Sequence, residues 1–241
     1  MATTPPTASL VSPHFSKLLS FNAGYVDTAG FLALGGLFTA HVTGNFVTLG
    51  ASLVHGTAGA YSKLAALPVF CVGVLLTRWA TNALQAHQWP AQRTLIVVKA
   101  LLLALAALLM VQFGPFPNGD IPQAFAAGML MVAAMSMQNA MQRIHTGSLP
   151  PTTLMTGTTT QVMIDVADLL KGVQGDARTA ATGRLHKMLP VLACFTLGCV
   201  LAALCYVALG MWCFVLPPVV ALASTCWAPE HTPSATPSPA R

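Results

Sequence analysis

Hydrophobic and polar positions divide the chain into eight apolar segments joined by short polar connections. The segments cover about 17–39, 43–57, 62–84, 94–114, 121–142, 154–170, 186–209 and 211–228. The longest of them approach or exceed the ~20 apolar residues that cross a hydrocarbon core about 30 Å thick. This pattern predicts an all-α integral membrane protein.

Two of the segments are short and open with the same dipeptide. FTAHVTGNFVTLG (38–50) contains Thr43-Gly44, and PTTLMTGTTTQVM (151–163) contains Thr156-Gly157. The two dipeptides are separated by close to half of the 241 residues. The spacing indicates a duplicated unit, and duplicated units with broken helices usually handle small solutes in membranes.

Composition supports the membrane interpretation. Hydrophobic residues make up 55% of the chain and charged residues 7%, against roughly 25% charged residues in a soluble domain, and the mean hydropathy is +0.68. The net charge of +5 encodes orientation in such a protein rather than a nucleic-acid partner. The six cysteines have no metal-ligand spacing. The sequence therefore predicts no metal, no cofactor and no nucleic-acid partner.

The distribution of basic residues selects a topology. If all eight segments cross, the basic connections fall on both sides, which contradicts the positive-inside rule. If the two Thr-Gly segments enter and leave on one side, six helices span, Lys63 and Asp120 lie outside, and Lys99 snorkels to the cytoplasmic face. That face then collects Lys17, Arg78, Arg93, Arg143, Lys171, Arg178, Arg184, Lys187 and Arg241.

We therefore predict about six transmembrane helices plus two short broken, re-entrant helices, with both termini cytoplasmic. Each half, about 15–116 and 119–228, holds three crossings, so the halves form an inverted repeat. They make up one transmembrane domain over 15–228. Residues 1–14 and 229–241 are predicted to be disordered tails, and no cleavable signal peptide is evident.

Asp27 is an ionisable residue about ten positions into the first segment. A carboxylate at that depth costs roughly 2.5–3.5 kcal/mol on insertion scales, so it requires a partner or a proton. It is either a coupling group or polar wall of a solute site, or a structural acceptor for donors at the neighbouring turn. His41 is placed to titrate with Asp27, although a lone histidine near an interface is more often a satisfied hydrogen bonder.

The first Thr-Gly turn continues as Thr43-Gly44-Asn45. Glycine permits close backbone approach or a positive φ, and Thr43 or Asn45 is expected to cap the following helix. The helix start would then hold its N–H groups toward an anion or dipole. The simpler interpretation is a tight turn that satisfies only its own backbone.

The second copy, TGTTTQVMIDVADLL, is more polar. Gln161, Asp165 and Asp168 follow i, i+4, i+7 spacing and share one helical stripe. Such a stripe lines an aqueous passage or faces water at the cytoplasmic mouth. Thr158 belongs to the same polar start.

The fifth segment ends in a polar cluster, MQNAMQRI. Asn139 follows Asp27 by almost the interval that separates the two Thr-Gly pairs, so the two are candidate equivalents in the repeat. Arg143 is interpreted chiefly as a positive-inside anchor.

The stretches AGYVDTAGFLALGGLFTAHVTGNFVTLGASL, MQNAMQRI and PPTTLMTGTTTQV resemble the YoaK-like family, known as domain of unknown function 1275. The resemblance covers nearly the whole chain apart from the tails. It implies a bacterial cytoplasmic-membrane protein of about six spans and no established substrate or catalytic residues. The motif positions that carry over are Asp27, Thr43, Gly44, Asn45, Asn139, Thr156 and Gly157.

The preferred hypothesis is a secondary transporter or permease for a small polar or anionic solute, bound at facing broken helices and coupled through Asp27. The alternatives are a channel lined by Asn45 and Thr158, a membrane enzyme using Asp165 and Asp168 on lipid, and an interaction partner without transport. An enzyme is not the expected class. The expected partners are a small-molecule solute and the bilayer, and a homo-oligomer is compatible with the small-residue first segment.

Overall fold

The computed structural model describes residues 12–55, 59–147, 149–153 and 155–228. The tails predicted for 1–14 and 229–241 lie outside these residues, except that helix α1 already begins at Pro13. The helices are α1 Pro13–Ala33, α2 Gly44–His55, α3 Ala60–Ala86, α4 Ala91–Phe113, α5 Pro122–His145, α6 Met155–Leu170, α7 Gly175–Leu209 and α8 Leu216–Ser224, with 3-10 helices at Gly210–Val215 and Thr225–Trp227. The described residues contain no strand.

Two predicted segments differ from the observed helices. Helix α7 begins at Gly175 rather than near 186, because its polar first turns pack on α6 and are invisible to hydropathy. The last segment is not one continuous α-helix, since 3-10 turns flank the nine-residue α8. Gly210, with a φ of 56°, allows the chain to turn there after α7.

The helices share two ends. We call one the basic end, where α1 and α4 begin and α5 finishes. Phe15, Leu95 and Met141 join one apolar cluster there with Ala228. The described basic residues of the predicted cytoplasmic set belong to helices or connections at this end, namely Lys17, Arg78, Arg93, Arg143, Lys171, Arg178, Arg184 and Lys187.

At the opposite end, α3 starts against the connection that precedes α5. The Gly59 N–H donates to Asp120 Oδ2 at 3.1 Å, and the Ser62 hydroxyl donates to the Gly119 carbonyl at 2.7 Å. Lys63 lies at this end too, with Nζ 2.8 Å from Ser52 Oγ. Lys63 and Asp120 therefore lie at the end opposite the basic end. Which side of a membrane each end faces stays a prediction.

Close helix crossings at small residues hold the centre together. A Cβ on Gly24 of α1 would lie 2.2 Å from the Phe195 carbonyl oxygen, and one on Gly198 of α7 would lie 2.2 Å from that of Phe21. Gly73 of α3 likewise leaves room for a neighbouring helix, because a Cβ there would lie 2.0 Å from the side-chain hydroxyl of Ser136 on α5. Small residues at such crossings let helix backbones approach closely, as in other membrane bundles.

Four stretches of the described chain are long and apolar enough to cross a membrane: α3, α4, α5 and the stretch Gly175–Trp227. Helix α1 has 21 residues but carries the buried polar side chains of Ser20, Asn22 and Asp27, which lower its hydropathy. The protein is therefore an all-α membrane protein whose helices bury polar groups against one another.

Both short helices return to the end from which their connections came. After α1 ends, the chain folds back along it until Thr39 contacts Asp27, and α2 then runs back toward the start of α3, with Ser52 beside Lys63. After α5 ends at the basic end, residues 146–153 fold back until Thr153 contacts Asn139, and α6 returns to the start of α7. That these two segments are re-entrant in a membrane stays a prediction.

Candidate functional site

The Asp27 carboxylate organises the connection that precedes α2. Its Oδ1 accepts the backbone N–H groups of Thr39 and Ala40, both at 2.7 Å, and the Thr39 hydroxyl at 3.3 Å. Oδ2 lies 2.7 Å from Nδ1 of His41. These contacts are those expected of an acceptor for donors at the neighbouring turn, and His41 lies beside Asp27 as its spacing indicated. The role of Asp27 in coupling stays a prediction.

The pair of Asp27 and His41 is unevenly exposed. The Asp27 side chain is 6% exposed and that of His41 31%, so the imidazole lies between the buried carboxylate and the surface. A cavity of about 170 Å³ lies beside the carboxylate, lined by Asp27, Thr28, Phe31 and Phe38. The arrangement provides a proton-accepting group next to an open space and a titratable ring that leads outward.

Thr43 and Asn45 do not cap α2, and this prediction was wrong. The Asn45 side chain instead bonds both backbone groups of Phe38, with Oδ1 accepting its N–H and Nδ2 donating to its carbonyl, each at 2.8 Å. The first N–H groups of α2, from Gly44, Asn45 and Phe46, donate to carbonyls of residues 41–43. The preceding turn coils tightly enough to satisfy them, so they are not held toward a solute.

The two Thr-Gly turns differ in structure. Gly44 is the first residue of α2 and permits close approach, because a Cβ there would lie 2.9 Å from Cδ2 of Phe38. Gly157 lies within the first turn of α6, where a Cβ would meet nothing within 4 Å. Thr156 is exposed as well, whereas Thr158 is buried and its hydroxyl has no hydrogen-bond partner among the described residues.

The predicted stripe on α6 forms, but its carboxylate is engaged in an ion pair. Gln161 Nε2 donates to Asp165 Oδ1 at 3.0 Å, as the i, i+4 spacing predicts. Arg184 of α7, which the sequence analysis did not connect with this stripe, donates to Asp165 through Nη2 at 2.6 Å and Nε at 3.0 Å. Because Asp165 is fully buried beneath this ion pair, its contacts are those of a joint between α6 and α7 rather than of a free acid or base.

Asn139 resembles Asp27 in its contacts. Its Oδ1 accepts the Thr153 hydroxyl at 2.6 Å, just as Asp27 accepts donors from Thr39. Gln142, one turn further along α5, accepts the Thr152 N–H at 2.8 Å and donates to the Pro150 carbonyl at 2.7 Å. A polar side chain late in α1 or α5 therefore holds the connection before each short helix.

The predicted position of Lys99 at the cytoplasmic face was wrong. Lys99 of α4 does not snorkel to the surface: it is fully buried, because its face of α4 packs on α5. Its Nζ donates to Gln138 Oε1 and, with the Asn22 amide turned to suit, to Asn22 Oδ1 at 3.0 Å. Gln138 in turn donates to the Leu19 carbonyl and the Thr152 hydroxyl.

The Lys99 cluster, as we call Lys99, Asn22 and Gln138, joins α1, α4 and α5 with the connection before α6. The two short helices themselves do not pack extensively on each other: α2 contacts α3, and α6 contacts α7. In the described residues, this cluster is one of the polar links between the two halves of the chain, together with the hydrogen bonds of Gly59 and Ser62 to residues 119–120.

Comparisons with known proteins give a family and a transmembrane relative for the chain. Residues 15–227 match the family described as "Protein of unknown function (DUF1275)". The chain is 29% identical over 169 residues to the "UPF0700 transmembrane protein YoaK" of Bacillus subtilis (strain 168), covering 68% of this chain and 71% of that protein. No solved structure matches.

Proposed function

This chain belongs to the DUF1275 family and is similar to a transmembrane protein. We propose that it is a secondary transporter or permease for a small polar or anionic solute. It would act as a multi-pass protein of the bacterial cytoplasmic membrane with both termini in the cytoplasm. The positive-inside rule supports this orientation, since the basic end of the molecule becomes the cytoplasmic end.

The observation that carries the proposal is the pair of Asp27 and His41. Carboxylates within membrane helices are rare, costly and usually mark ion or proton pathways. Here the carboxylate is buried, its histidine partner is partly exposed, and a cavity adjoins the carboxylate. Histidine changes its charge near physiological pH, so the pair is suited to couple a proton to solute movement.

The Lys99 cluster supports the same class of function. Its ammonium is fully buried and contacts amide side chains rather than a carboxylate. A charge of this kind within a bundle has unfavourable solvation unless it loses its proton or gains an anion. We propose that it is a second ionisable centre of the transport cycle.

The contacts between helices support an inverted repeat. Exchanging α1, α2, α3 and α4 with α5, α6, α7 and α8 turns each of three contacts into another observed contact. The contact of α1 with α7 corresponds to that of α5 with α3. The contact of α2 with α3 corresponds to that of α6 with α7, and the contact of α1 with α8 to that of α5 with α4. Transporters built from such repeats bind solutes at broken helices.

The path of the last segment supports six crossings. It starts beside the end of α4, where Met211 lies next to Gly114, and finishes beside the start of α1, where the Trp227 ring lies 6.2 Å from that of His14. With a rise of about 2.0 Å per residue in 3-10 turns and about 1.5 Å in α8, the segment extends about 30 Å, enough to cross a hydrocarbon core.

A ligand panel tests the proposal on purified full-length protein. Small anions, amino acids, sugars and nucleobases are added and the thermal unfolding midpoint is measured, since a ligand of the folded state raises stability by RT ln(1 + [L]/Kd). We expect one chemical class to raise the midpoint of the wild type and of Gly157→Leu, whose new side chain meets open space, but not of Gly44→Leu. A panel without any effect on the wild type contradicts the proposal.

Counterflow then separates a transporter from a channel. Proteoliposomes loaded with the solute identified by the panel should accumulate labelled solute from outside beyond equilibrium. Simple equilibration would favour a channel instead.

A further inference from the structure

A cavity of about 340 Å³ opens between α3 and α5 near the basic end, away from Asp27 and His41. Phe70, Val74 and Arg78 line it from α3 at intervals of four residues, and therefore from one face of that helix. The α5 side is formed by Asn139, Ala140, Arg143 and Ile144.

The lining changes from apolar to basic along the cavity. Arg78 lies one turn closer to the basic end than Val74 and two turns closer than Phe70. Trp79, next to Arg78, is 64% exposed, and tryptophan of this kind typically lies at the level of lipid headgroups. The two arginines therefore lie near headgroup depth, and the apolar part of the cavity lies deeper.

Neither Arg78 nor Arg143 forms an ion pair with a carboxylate of the described residues. The Asn139 side chain also lines the cavity, but its Nδ2 donates to the Met135 carbonyl and its Oδ1 accepts the Thr153 hydroxyl. Two guanidinium groups thus face one cavity without a counter-charge supplied by the described chain.

We propose that this cavity binds an anionic phospholipid, with the phosphate between Arg78 and Arg143 and an acyl chain along Phe70 and Val74. Guanidinium groups match phosphate oxygens in bidentate geometry, and basic pockets between membrane helices bind anionic headgroups. A soluble anion would fill only the basic part and leave the apolar part empty. The predicted orientation puts the site in the cytoplasmic leaflet.

A smaller cavity of about 100 Å³ shares Asn139 and Arg143 with this site and extends to Thr153. The two cavities therefore adjoin, and the smaller one connects the lipid site with the connection that leads into α6.

The test uses purified full-length protein in a neutral detergent, with phosphatidylglycerol and phosphatidylcholine added separately. Phosphatidylglycerol should raise the thermal unfolding midpoint, and native mass spectrometry should show one retained molecule. The double variant Arg78→Gln/Arg143→Gln should bind it about 30-fold more weakly, as expected from the loss of two basic contacts to a headgroup. Equal effects of the two lipids on the wild type would overturn the proposal.

Matched controls separate this site from general charge. Arg178→Gln/Lys187→Gln removes two exposed basic residues at the same end and should keep wild-type lipid binding. Arg78→Lys/Arg143→Lys keeps the charge and should retain part of the binding, which shows that the site still folds. If the two glutamine double variants lose binding equally, the cavity is not the site.

Two soluble probes distinguish a lipid site from a site for a free anion. Inorganic phosphate and glycerophosphoglycerol carry the phosphate without acyl chains and should leave the unfolding midpoint unchanged. A stabilisation by either probe as large as that by phosphatidylglycerol would overturn the lipid assignment. Because every readout is binding, none of these results depends on transport.

Discussion

Alanine at Gly44 and alanine at Gly157 should affect stability in opposite directions, although both glycines follow a threonine in similar apolar sequence. At Gly44 the new Cβ would lie 2.9 Å from Cδ2 and 3.2 Å from Cε2 of Phe38. The Phe38 ring has little freedom to move, because Asn45 bonds its backbone on both sides and the Phe31 ring packs 4.9 Å away. At Gly157 the same Cβ meets nothing within 4 Å.

The magnitudes follow from these distances. Both substitutions gain up to about 1 kcal/mol from the higher helix propensity of alanine, so this contribution nearly cancels between them. Overpacking against Phe38 costs about 1–3 kcal/mol and applies to Gly44 alone. The two variants should therefore differ by about 2 kcal/mol, with Gly157→Ala the more stable.

Thermal unfolding of the two purified variants in one detergent measures this difference. Gly157→Ala should unfold at or above the wild-type temperature, and Gly44→Ala about 4–8 °C below Gly157→Ala for a difference of this size. Equal midpoints would refute the distinct roles assigned to the two glycines. Gly44→Ala combined with Phe38→Leu should recover part of the loss, since the smaller side chain relieves the contact.

Three further predictions concern the polar contacts. Arg184→Gln should lower the unfolding midpoint more than Arg178→Gln does, because it leaves the buried Asp165 carboxylate without its cation, and Asp165→Asn added to Arg184→Gln should restore part of it; equal effects of the two single variants would contradict the joint between α6 and α7. Lys99→Met should fold, because it replaces a buried amine with an apolar chain of similar length, but should abolish any solute-induced stabilisation; an unchanged ligand response would exclude Lys99 from the transport cycle. Burial alone would raise the pKa of Asp120, but hydrogen bonds from the backbone and side chain of Ser62 and from the Tyr61 and Gly59 backbone outweigh it and lower that pKa. The folded-state pKa then lies below the unfolded value of about 3.9, so the stabilisation is present above pH ~4 and is lost as the pH falls through the folded-state pKa. Asp120→Asn should cost about 1 kcal/mol, as loss of a helix cap does, at neutral pH and less at acidic pH, measured by unfolding at both.

The apolar segments could be predicted because hydropathy and length report directly on burial in lipid. The same signals fail where a helix is polar or broken. The first turns of α7, from Gly175 onward, carry charges and pack on α6, so hydropathy placed the start near 186. The last segment is apolar throughout, and hydropathy does not distinguish 3-10 turns from an α-helix.

The residues of the candidate site were easier to predict than the side chains that contact them. Asp27 and His41 were accessible from sequence because they lie on either side of one turn. Arg184 faces Asp165 only because α6 and α7 pack side by side after a tight turn. The local sequence of α7 does not indicate which of its faces contacts α6. Lys99 is the ninth residue of α4. At this depth a lysine on one face of the helix extends to the surface, whereas a lysine on the opposite face enters the bundle. Helix rotation decides between these outcomes.

Proton movement driven by a solute tests the central claim most directly. Proteoliposomes containing a trapped pH-sensitive dye receive the solute identified by the ligand panel, and the internal pH is followed for the wild type, Asp27→Asn and Asp176→Asn. Asp27→Asn keeps an acceptor for Thr39 and Ala40 but removes the carboxylate, while Asp176→Asn removes a carboxylate in the first turn of α7. The account predicts a pH change with the wild type and Asp176→Asn and none with Asp27→Asn. A wild-type pH change with Asp27→Asn would contradict it.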